Sequence, residues 1–166
     1  MISIVNINYK AQAAFKLSSE DFIGTKSPQM LIYTSCDPHQ PCKLLVFQSG
    51  KCRIMGCKKT LVNPTKCFPT FPLKVITVQS ITATLNLGKS LNLIRLSHQL
   101  PRKHCLFEAE LFPALRLMSS EFLPHCINIF ASGKVVILGI HSLSSVIKLG
   151  RRITNYKNMH YKNEKA

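Results

Sequence analysis

One ten-residue phrase occurs twice in this chain, and this repeat restricts the possible folds more than any other feature. The copies are Phe47-Gln-Ser-Gly-Lys-Cys-Arg-Ile-Met-Gly56 and Phe130-Ala-Ser-Gly-Lys-Val-Val-Ile-Leu-Gly139, and their separation is half of the 166-residue chain. Self-similarity at this spacing indicates two copies of one supersecondary unit. We therefore expect residues 1–72 and 73–153 to form two related repeats, followed by a basic flexible tail over 154–166.

Each copy of the phrase predicts a β-hairpin, because a Ser-Gly pair separates two apolar, β-prone runs. Side chains alternate between the two faces of a strand. In the second hairpin, alternation sets Ile127, Ile129, Val135 and Ile137 against Asn128, Phe130, Val136 and Leu138. In the first hairpin it sets Leu44, Val46 and Ile54 against Leu45, Phe47, Arg53 and Met55. Both faces are largely apolar, and one helix layer covers only one of them. The second face is expected to bind a partner, unless a β-sandwich buries it.

The remaining segments predict few helices. Dense β-branching predicts that each repeat opens with a strand, over 2–8 and 75–84. Polar or weakly helical stretches follow over 11–22 and 92–98. Apolar residues at helical spacing predict a helix over 141–153, with one face formed by Leu143, Val146, Ile147 and Leu149. The corresponding stretch of the first repeat contains three prolines, which exclude a long helix there: Pro64, Pro69 and Pro72.

The charge balance predicts a polyanionic partner. The chain has 22 Lys and Arg against 7 Asp and Glu, a net charge of +15. An excess of this size favours nucleic acid or an anionic membrane surface, although it also keeps a protein soluble without any partner. No apolar run approaches the length of a membrane span, and the N-terminus lacks the features of a signal peptide. These features are typical of a soluble intracellular protein.

The cysteines predict neither a disulfide framework nor a metal centre. There are seven, an odd number, without a C-x-x-C pair. The segment Cys36-Asp-Pro-His39-Gln-Pro-Cys42 has three possible zinc ligands but no evident fourth, and its prolines favour a loop. Four other cysteines lie in apolar sequence and are expected to be small buried residues: Cys52, Cys57, Cys105 and Cys126. We expect no metal and no cofactor.

The segment Phe107-Glu-Ala-Glu-Leu-Phe-Pro-Ala-Leu115, followed by the hairpin at Phe130, resembles the TATA-box-binding protein family. In that family a Glu-Leu-Phe-Pro stretch precedes a Phe-x-Ser-Gly-Lys hairpin. The resemblance covers nearly the whole chain and implies an α+β fold, a pseudo-two-fold saddle of one curved antiparallel sheet with helices on the convex face. It also implies a transcription initiation factor of the nucleus, or of the host nucleus if the chain is a compact viral copy. Such factors bind and bend A·T-rich double-stranded promoter DNA through the minor groove by phenylalanine insertion.

The resemblance also implies roles for individual residues. Phe112 and Phe130 match the inserting pair of the second repeat, and Phe47 matches one member of the first pair. The companion of Phe47 is expected near Pro28 to Met30, where no Phe occurs. Further DNA-facing positions are Asn6, Leu45, Ser49, Lys51, Arg53, Met55, Ser80, Asn128, Ser132, Lys134, Val136 and Leu138. The surface that binds the initiation factor of the IIB type, and through it the RNA polymerase machinery, corresponds to Glu108, Glu110 and Leu111.

Several matched positions depart from the family pattern. Ser80 replaces the second central Asn, Met55 and Leu138 replace threonines, Arg53 replaces a Val, and Asn128 replaces a Leu. The first convex helix is also truncated. The departures favour a second hypothesis, an interaction module that keeps the saddle but has lost sequence-specific reading. An enzyme is the third hypothesis, and no Ser/His/Asp, paired-carboxylate or Gly-rich phosphate pattern supports it.

Overall fold

The computed structural model describes residues 2–15, 17–18, 20–22, 29–36, 39, 41–58 and 64–160. Nine strands and two α-helices lie in these ranges, with short 3₁₀ turns at Glu20–Phe22, Pro64–Cys67 and Arg102–His104. The elements are β1 (Ile2–Ala13), β2 (Met30–Thr34), β3 (Lys43–Phe47), β4 (Lys51–Cys57), β5 (Leu73–Asn86), α1 (Leu93–Gln99), β6 (Cys105–Leu106), β7 (Ala114–Leu117), β8 (Cys126–Phe130), β9 (Lys134–Ile140) and α2 (Leu143–His160).

The nine strands form one sheet in the order β2-β3-β4-β1-β5-β9-β8-β7-β6. The β2–β3, β3–β4 and β1–β4 pairs are antiparallel, and so are β6–β7, β7–β8 and β8–β9. The predicted α+β class with a single antiparallel sheet is confirmed. No helix in the described part of the chain has the length and apolarity of a membrane span.

Contacts divide the chain into two compact units. The N-terminal unit is Ile4–Ile81, and the C-terminal unit combines Met1–Ser3 with Thr82–Ala166. Each unit contains one of the predicted hairpins, β3–β4 in the first and β8–β9 in the second.

The N-terminal unit buries one face of its strands. The strands contribute Ile7, Tyr9, Leu44, Val46 and Ile54 to its core. Cys67 at the end of the 3₁₀ turn, and Phe68 and Phe71 after it, complete the core. Within its described residues there is no α-helix, and the 3₁₀ turn Pro64–Cys67 lies in the stretch where the prolines exclude a long helix. Of the two alternatives for residues 11–22, the weak helix is wrong. Buried Ala11 and Ala13 continue the two-residue alternation of β1, and Glu20–Phe22 is a single 3₁₀ turn.

The C-terminal unit carries both α-helices. The predicted helix over 92–98 is α1, and the Asn92 side chain caps it by accepting a hydrogen bond from the Arg95 N–H at 3.0 Å. The helix α2 begins after Ser142, whose hydroxyl accepts the Ser145 N–H at 3.3 Å. It continues to His160, beyond the predicted end at residue 153, so residues 154–160, which the sequence assigned to a tail, are helical.

The buried face of α2 differs in part from the predicted one. Val146, Leu149 and Ile153 are buried at helical spacing, whereas Leu143 and Ile147 are 43% and 54% exposed. Positions 146, 149 and 153 lie in one stripe of a 3.6-residue helix, and position 147 is rotated by about 100° from position 146. α1 packs on β7 and α2 packs on β9.

Candidate nucleic-acid interface

The β3–β4 hairpin separates a buried face from an exposed one. Leu44, Val46, Cys52 and Ile54 are at most 2% exposed. The alternate positions, which we call the open face of the N-terminal unit, are half-buried at Leu45 and Phe47 and exposed at Lys51, Arg53 and Met55. The alternation predicted from the sequence therefore occurs in the structure. The open face mixes apolar and cationic side chains.

The β8–β9 hairpin has the same division. Ile127, Ile129, Val135 and Ile137 are buried, and the open face of the C-terminal unit consists of Asn128, Phe130, Lys134, Val136 and Leu138. Asn128 is only 6% exposed. It lies between its register partners Arg116 and Val136, and its side-chain oxygen accepts a weak hydrogen bond from the Cys126 thiol at 3.7 Å.

Both hairpins turn through the same hydrogen bonds. The Gly50 and Gly133 N–H groups donate to the carbonyl oxygens of Phe47 and Phe130, and both glycines have positive φ, +75° and +79°. The predicted Ser-Gly turns are confirmed, and their glycines occupy backbone conformations that side chains disfavour. Ser49 and Ser132 accept the N–H of Lys51 and Lys134, each at 3.4 Å, so both serines order the backbone of the lysine that follows.

An aromatic pair lies on the C-terminal unit, with Phe112 exposed and Phe130 half-buried. The ring centroids of Phe112 and Phe130 are 6.1 Å apart with an interplanar angle of 65°, an edge-to-face contact. Phe112 is 41% exposed, and its N–H and that of Leu111 both donate to the Glu108 carbonyl oxygen. The structure therefore brings the two predicted inserting residues of this repeat together, Phe112 from a hydrogen-bonded turn and Phe130 from the end of β8.

The N-terminal unit has no equivalent pair in its described residues. Phe47 lies opposite Met30 in the β2–β3 register, and Phe130 lies opposite Ala114 in the β7–β8 register. Met30 therefore corresponds to Ala114, and Phe112 corresponds to Pro28, which lies outside the described residues. Instead, Ile32 stands opposite Leu45 and is 55% exposed.

The central polar positions hold a residue that sequence reasoning missed. The Asn8 amide donates to the Ser80 hydroxyl at 3.2 Å, and the Asn8 oxygen is buried without a described hydrogen-bond partner. Asn6, the predicted match, accepts the Gly56 N–H at 3.0 Å. The register shift between Ile7 and Tyr9 coincides with Gly56 at φ +88°, as in a β-bulge. The only signal in the sequence for a role of Asn8 was its spacing of two residues from Asn6, which puts both side chains on the same face of β1.

The predicted partner-binding segment lies on the surface. Glu108 and Glu110 are exposed and Leu111 is 80% exposed, in the turn that leads into β7. An apolar side chain that is this exposed is available to another protein.

The described cysteines form no metal site. No group of three metal-binding side chains occurs in the described ranges, which include His39 but not Asp37. Cys52 and Cys57 are buried as predicted, whereas Cys105 and Cys126 are only half-buried. Burial raises the pKa of the thiols of Cys42, Cys52, Cys57 and Cys105, and it also raises the pKa of Tyr9 beside the first unit's thiols. The buried, protonated thiols of Cys42, Cys52 and Cys57 are inert core residues.

Comparison with known proteins matches the second repeat to a family. The family described as "Transcription factor TFIID (or TATA-binding protein, TBP)" matches residues 75–156. Among solved structures, the TBP of Methanococcus jannaschii superposes with a TM-score of 0.73 at 24% sequence identity. That similarity covers 93% of this chain and 96% of the archaeal chain, and it establishes the fold. Compared with curated protein sequences, the chain has no significant match.

Proposed function

Because this chain belongs, through residues 75–156, to the TATA-binding protein family, we propose that it binds A·T-rich promoter DNA through the minor groove and bends it. The family is one of DNA-binding transcription factors, not enzymes. Insertion of Phe112 and Phe130 between base pairs is the proposed cause of the bend. Apolar side chains that enter a base step unstack it and kink the duplex.

The partly exposed Phe112–Phe130 pair carries this proposal. An edge-to-face pair of aromatic rings at 6.1 Å is usually part of a core, yet Phe112 remains 41% exposed. The backbone that carries each ring is hydrogen-bonded. The Phe112 N–H donates to the Glu108 carbonyl oxygen, and the Phe130 carbonyl oxygen accepts the Gly133 N–H. A rigid base under a partly exposed aromatic pair suits insertion, because little conformational entropy is lost on binding.

The other proposed contacts surround these rings. Lys51 and Lys134 follow the two turns and suit phosphate groups, while Val136, Leu138, Leu45 and Met55 supply apolar surface for the minor groove. Asn6, Asn8 and Ser80 are the proposed polar contacts with base edges. Ser49 and Ser132 hold the turns, and Asn128 is too buried to contribute more than support.

The exposed turn at 108–111 is the proposed contact for an initiation factor of the IIB type, and so for the polymerase machinery, in a nucleus. It also supports the second hypothesis, in which the chain recruits proteins without reading DNA. Leu111, which follows Glu110 and is 80% exposed, is the observation that favours it.

A bending experiment tests the proposal. An A·T-rich duplex with a fluorophore at each end is titrated with protein, and energy transfer reports the end-to-end distance. Transfer should rise with the wild-type chain and stay at the free-duplex value with Phe112→Ala combined with Phe130→Ala. Ile147→Ala, which removes an exposed apolar side chain from α2, is the matched control and should bend DNA normally. Binding without bending by the wild type would refute insertion, and no binding at low salt would favour the recruitment hypothesis.

A further inference from the structure

Two cations face each other on neighbouring strands of the N-terminal unit. The β1–β4 register sets Lys10 directly opposite Arg53, and Gln12 opposite Lys51. Both Lys10 and Arg53 are exposed on the open face. Like charges at directly opposed sheet positions are destabilising. The pair therefore costs stability in the free protein, and a bound anion would relieve that cost.

These cations line one open concavity. Its volume is about 610 Å³, and it is lined by Lys10, Ala11, Phe47, Ser49, Lys51, Cys52 and Arg53. No carboxylate belongs to this lining. The described carboxylates of the unit, Glu20 and Asp21, lie in the 3₁₀ turn, and Asp21 already accepts the Ser18 N–H at 2.7 Å. Among the described residues, no hydrogen bond or ion pair engages the side chains of Lys10, Lys51 or Arg53.

We propose that this concavity binds the phosphodiester backbone of duplex DNA, with Arg53 and Lys10 sharing one phosphate and Lys51 contacting the next. The proposal rests on the proposed DNA-binding function and deepens it. The Arg53 guanidinium can hold two phosphate oxygens at once, and Lys10 supplies a second charge from the adjacent strand. The Ser49 hydroxyl has its proton available, because its oxygen accepts the Lys51 N–H. Phe47 supplies the apolar wall of the concavity.

The C-terminal unit lacks this arrangement at the matching position. Counting from Phe47 and Phe130, Lys51 corresponds to Lys134, but Arg53 corresponds to Val136. Phosphate contacts carry affinity and orientation without sequence information, whereas base contacts carry specificity. The N-terminal hairpin therefore binds DNA mainly by charge, whereas the C-terminal hairpin has an apolar residue at the position of Arg53.

The salt dependence of binding tests this division. Fluorescence anisotropy with an A·T-rich duplex, repeated over a range of KCl concentrations, gives the slope of log K against log[KCl]. Each phosphate contact contributes about 0.9 to that slope. Because Arg53 and Lys10 share one phosphate, Arg53→Val combined with Lys10→Gln should reduce the slope by about this amount. Each single variant should reduce it by less, and Arg53→Lys should keep it. Lys66→Gln removes an exposed charge from the 3₁₀ turn, outside the concavity, and should leave the slope unchanged.

A duplex with neutral methylphosphonate linkages locates the contact. Neutral linkages at the critical phosphates should weaken wild-type binding but not binding by Arg53→Val combined with Lys10→Gln. Thermal melting checks the fold. The double variant should melt no lower than the wild type, because a like-charge pair is gone, and inorganic pyrophosphate should stabilise only the wild type.

An unchanged salt slope in the double variant, with normal bending by the wild type, overturns the phosphate site and leaves the proposed function intact. Binding to an RNA duplex that is as tight as binding to the DNA duplex, or tighter, also overturns the proposed DNA phosphate site, because the concavity would then fit the backbone of an A-form duplex. Failure of the wild type to bend DNA overturns insertion, and the slopes still decide the phosphate site.

Discussion

The two units share one hairpin and differ in what they carry on it. In the N-terminal unit Leu45 faces Arg53 across the hairpin, and in the C-terminal unit Asn128 faces Val136. Each pair joins one apolar and one polar residue. The polar residue lies on the second strand of the N-terminal hairpin but on the first strand of the C-terminal hairpin. The N-terminal polar residue is an exposed cation, and the C-terminal one is a buried amide.

The two units share a common frame, which consists of the buried aliphatic positions, the Gly turns and the serine hydrogen bonds. The open faces have diverged toward cations in one unit and an aromatic pair in the other. Two copies of one frame can therefore contact the same ligand by different physical means.

The turn glycines give the largest expected difference between the units. Replacing Gly133 by Ala should lower the free energy of unfolding by about 3 kcal/mol or more, because the positive φ is disfavoured and the new Cβ would collide with the Lys89 carbonyl oxygen. Gly50→Ala should cost about 1–2 kcal/mol, since its Cβ meets only the end of the flexible Gln12 side chain. Urea unfolding measures both, and equal losses would contradict the asymmetry.

The repeated frame was predictable from the sequence, since two-residue alternation and Ser-Gly pairs are local signals. Prolines likewise excluded a helix locally, and Asn92 marked the start of α1. The extent of β1 and of α2 was not predictable, because it depends on what packs against Ala13 and Ile153.

The residues of the candidate site were predictable from the sequence only where they belong to a recognisable family motif. Phe112 and Phe130 lie within recognisable motifs, and the structure pairs them. The role of Asn8 depends on a register shift opposite Gly56. The apposition of Lys10 and Arg53 depends on pairing between strands that are far apart in sequence, which no local pattern reveals.

The aromatic residues give the next largest difference. Phe112→Ala should weaken DNA binding by about 1–3 kcal/mol, the value of stacking an aromatic ring on a base, because 41% of its side chain is exposed for DNA to cover. Phe47→Ala should cost less, since Phe47 is half-buried beside Met30 and borders a cationic concavity. Anisotropy at one salt concentration compares them. A larger loss for Phe47→Ala would assign insertion to the N-terminal unit.

Alkaline pH should affect the N-terminal unit more than the C-terminal one. Burial raises the pKa of three thiols in the N-terminal unit, Cys42, Cys52 and Cys57, above the usual 9.0. In the C-terminal unit it raises the pKa of Cys105. The folded chain keeps these protons to higher pH than the unfolded chain does. The stabilisation is therefore complete below pH 9.0 and declines as pH rises through the folded values.

Thermal melting from pH 7.5 to 10.5 measures this decline. Cys105→Ala should leave most of it, and Cys52→Ala should reduce it. Alkylation mapped by mass spectrometry adds a second measurement, in which the exposed Cys36 should react before the buried thiols. A melting temperature that is constant across this range would contradict the assignment.

Asn128 gives the smallest expected difference, and the opposite sign. It is 6% exposed, and its oxygen has only the weak 3.7 Å bond from the Cys126 thiol. Asn128→Leu introduces the residue that the N-terminal unit has at the matching position, Leu45. It should raise the free energy of unfolding by about 1 kcal/mol, because a poorly paired amide is removed from the interior. The reverse exchange, Leu45→Asn, should lower it by a similar amount, since Leu45 is half-buried. Urea unfolding compares the two. A loss of stability in Asn128→Leu would show that the amide makes a stronger bond than the thiol contact, and the two hairpins would then differ in their frame as well as in their surface.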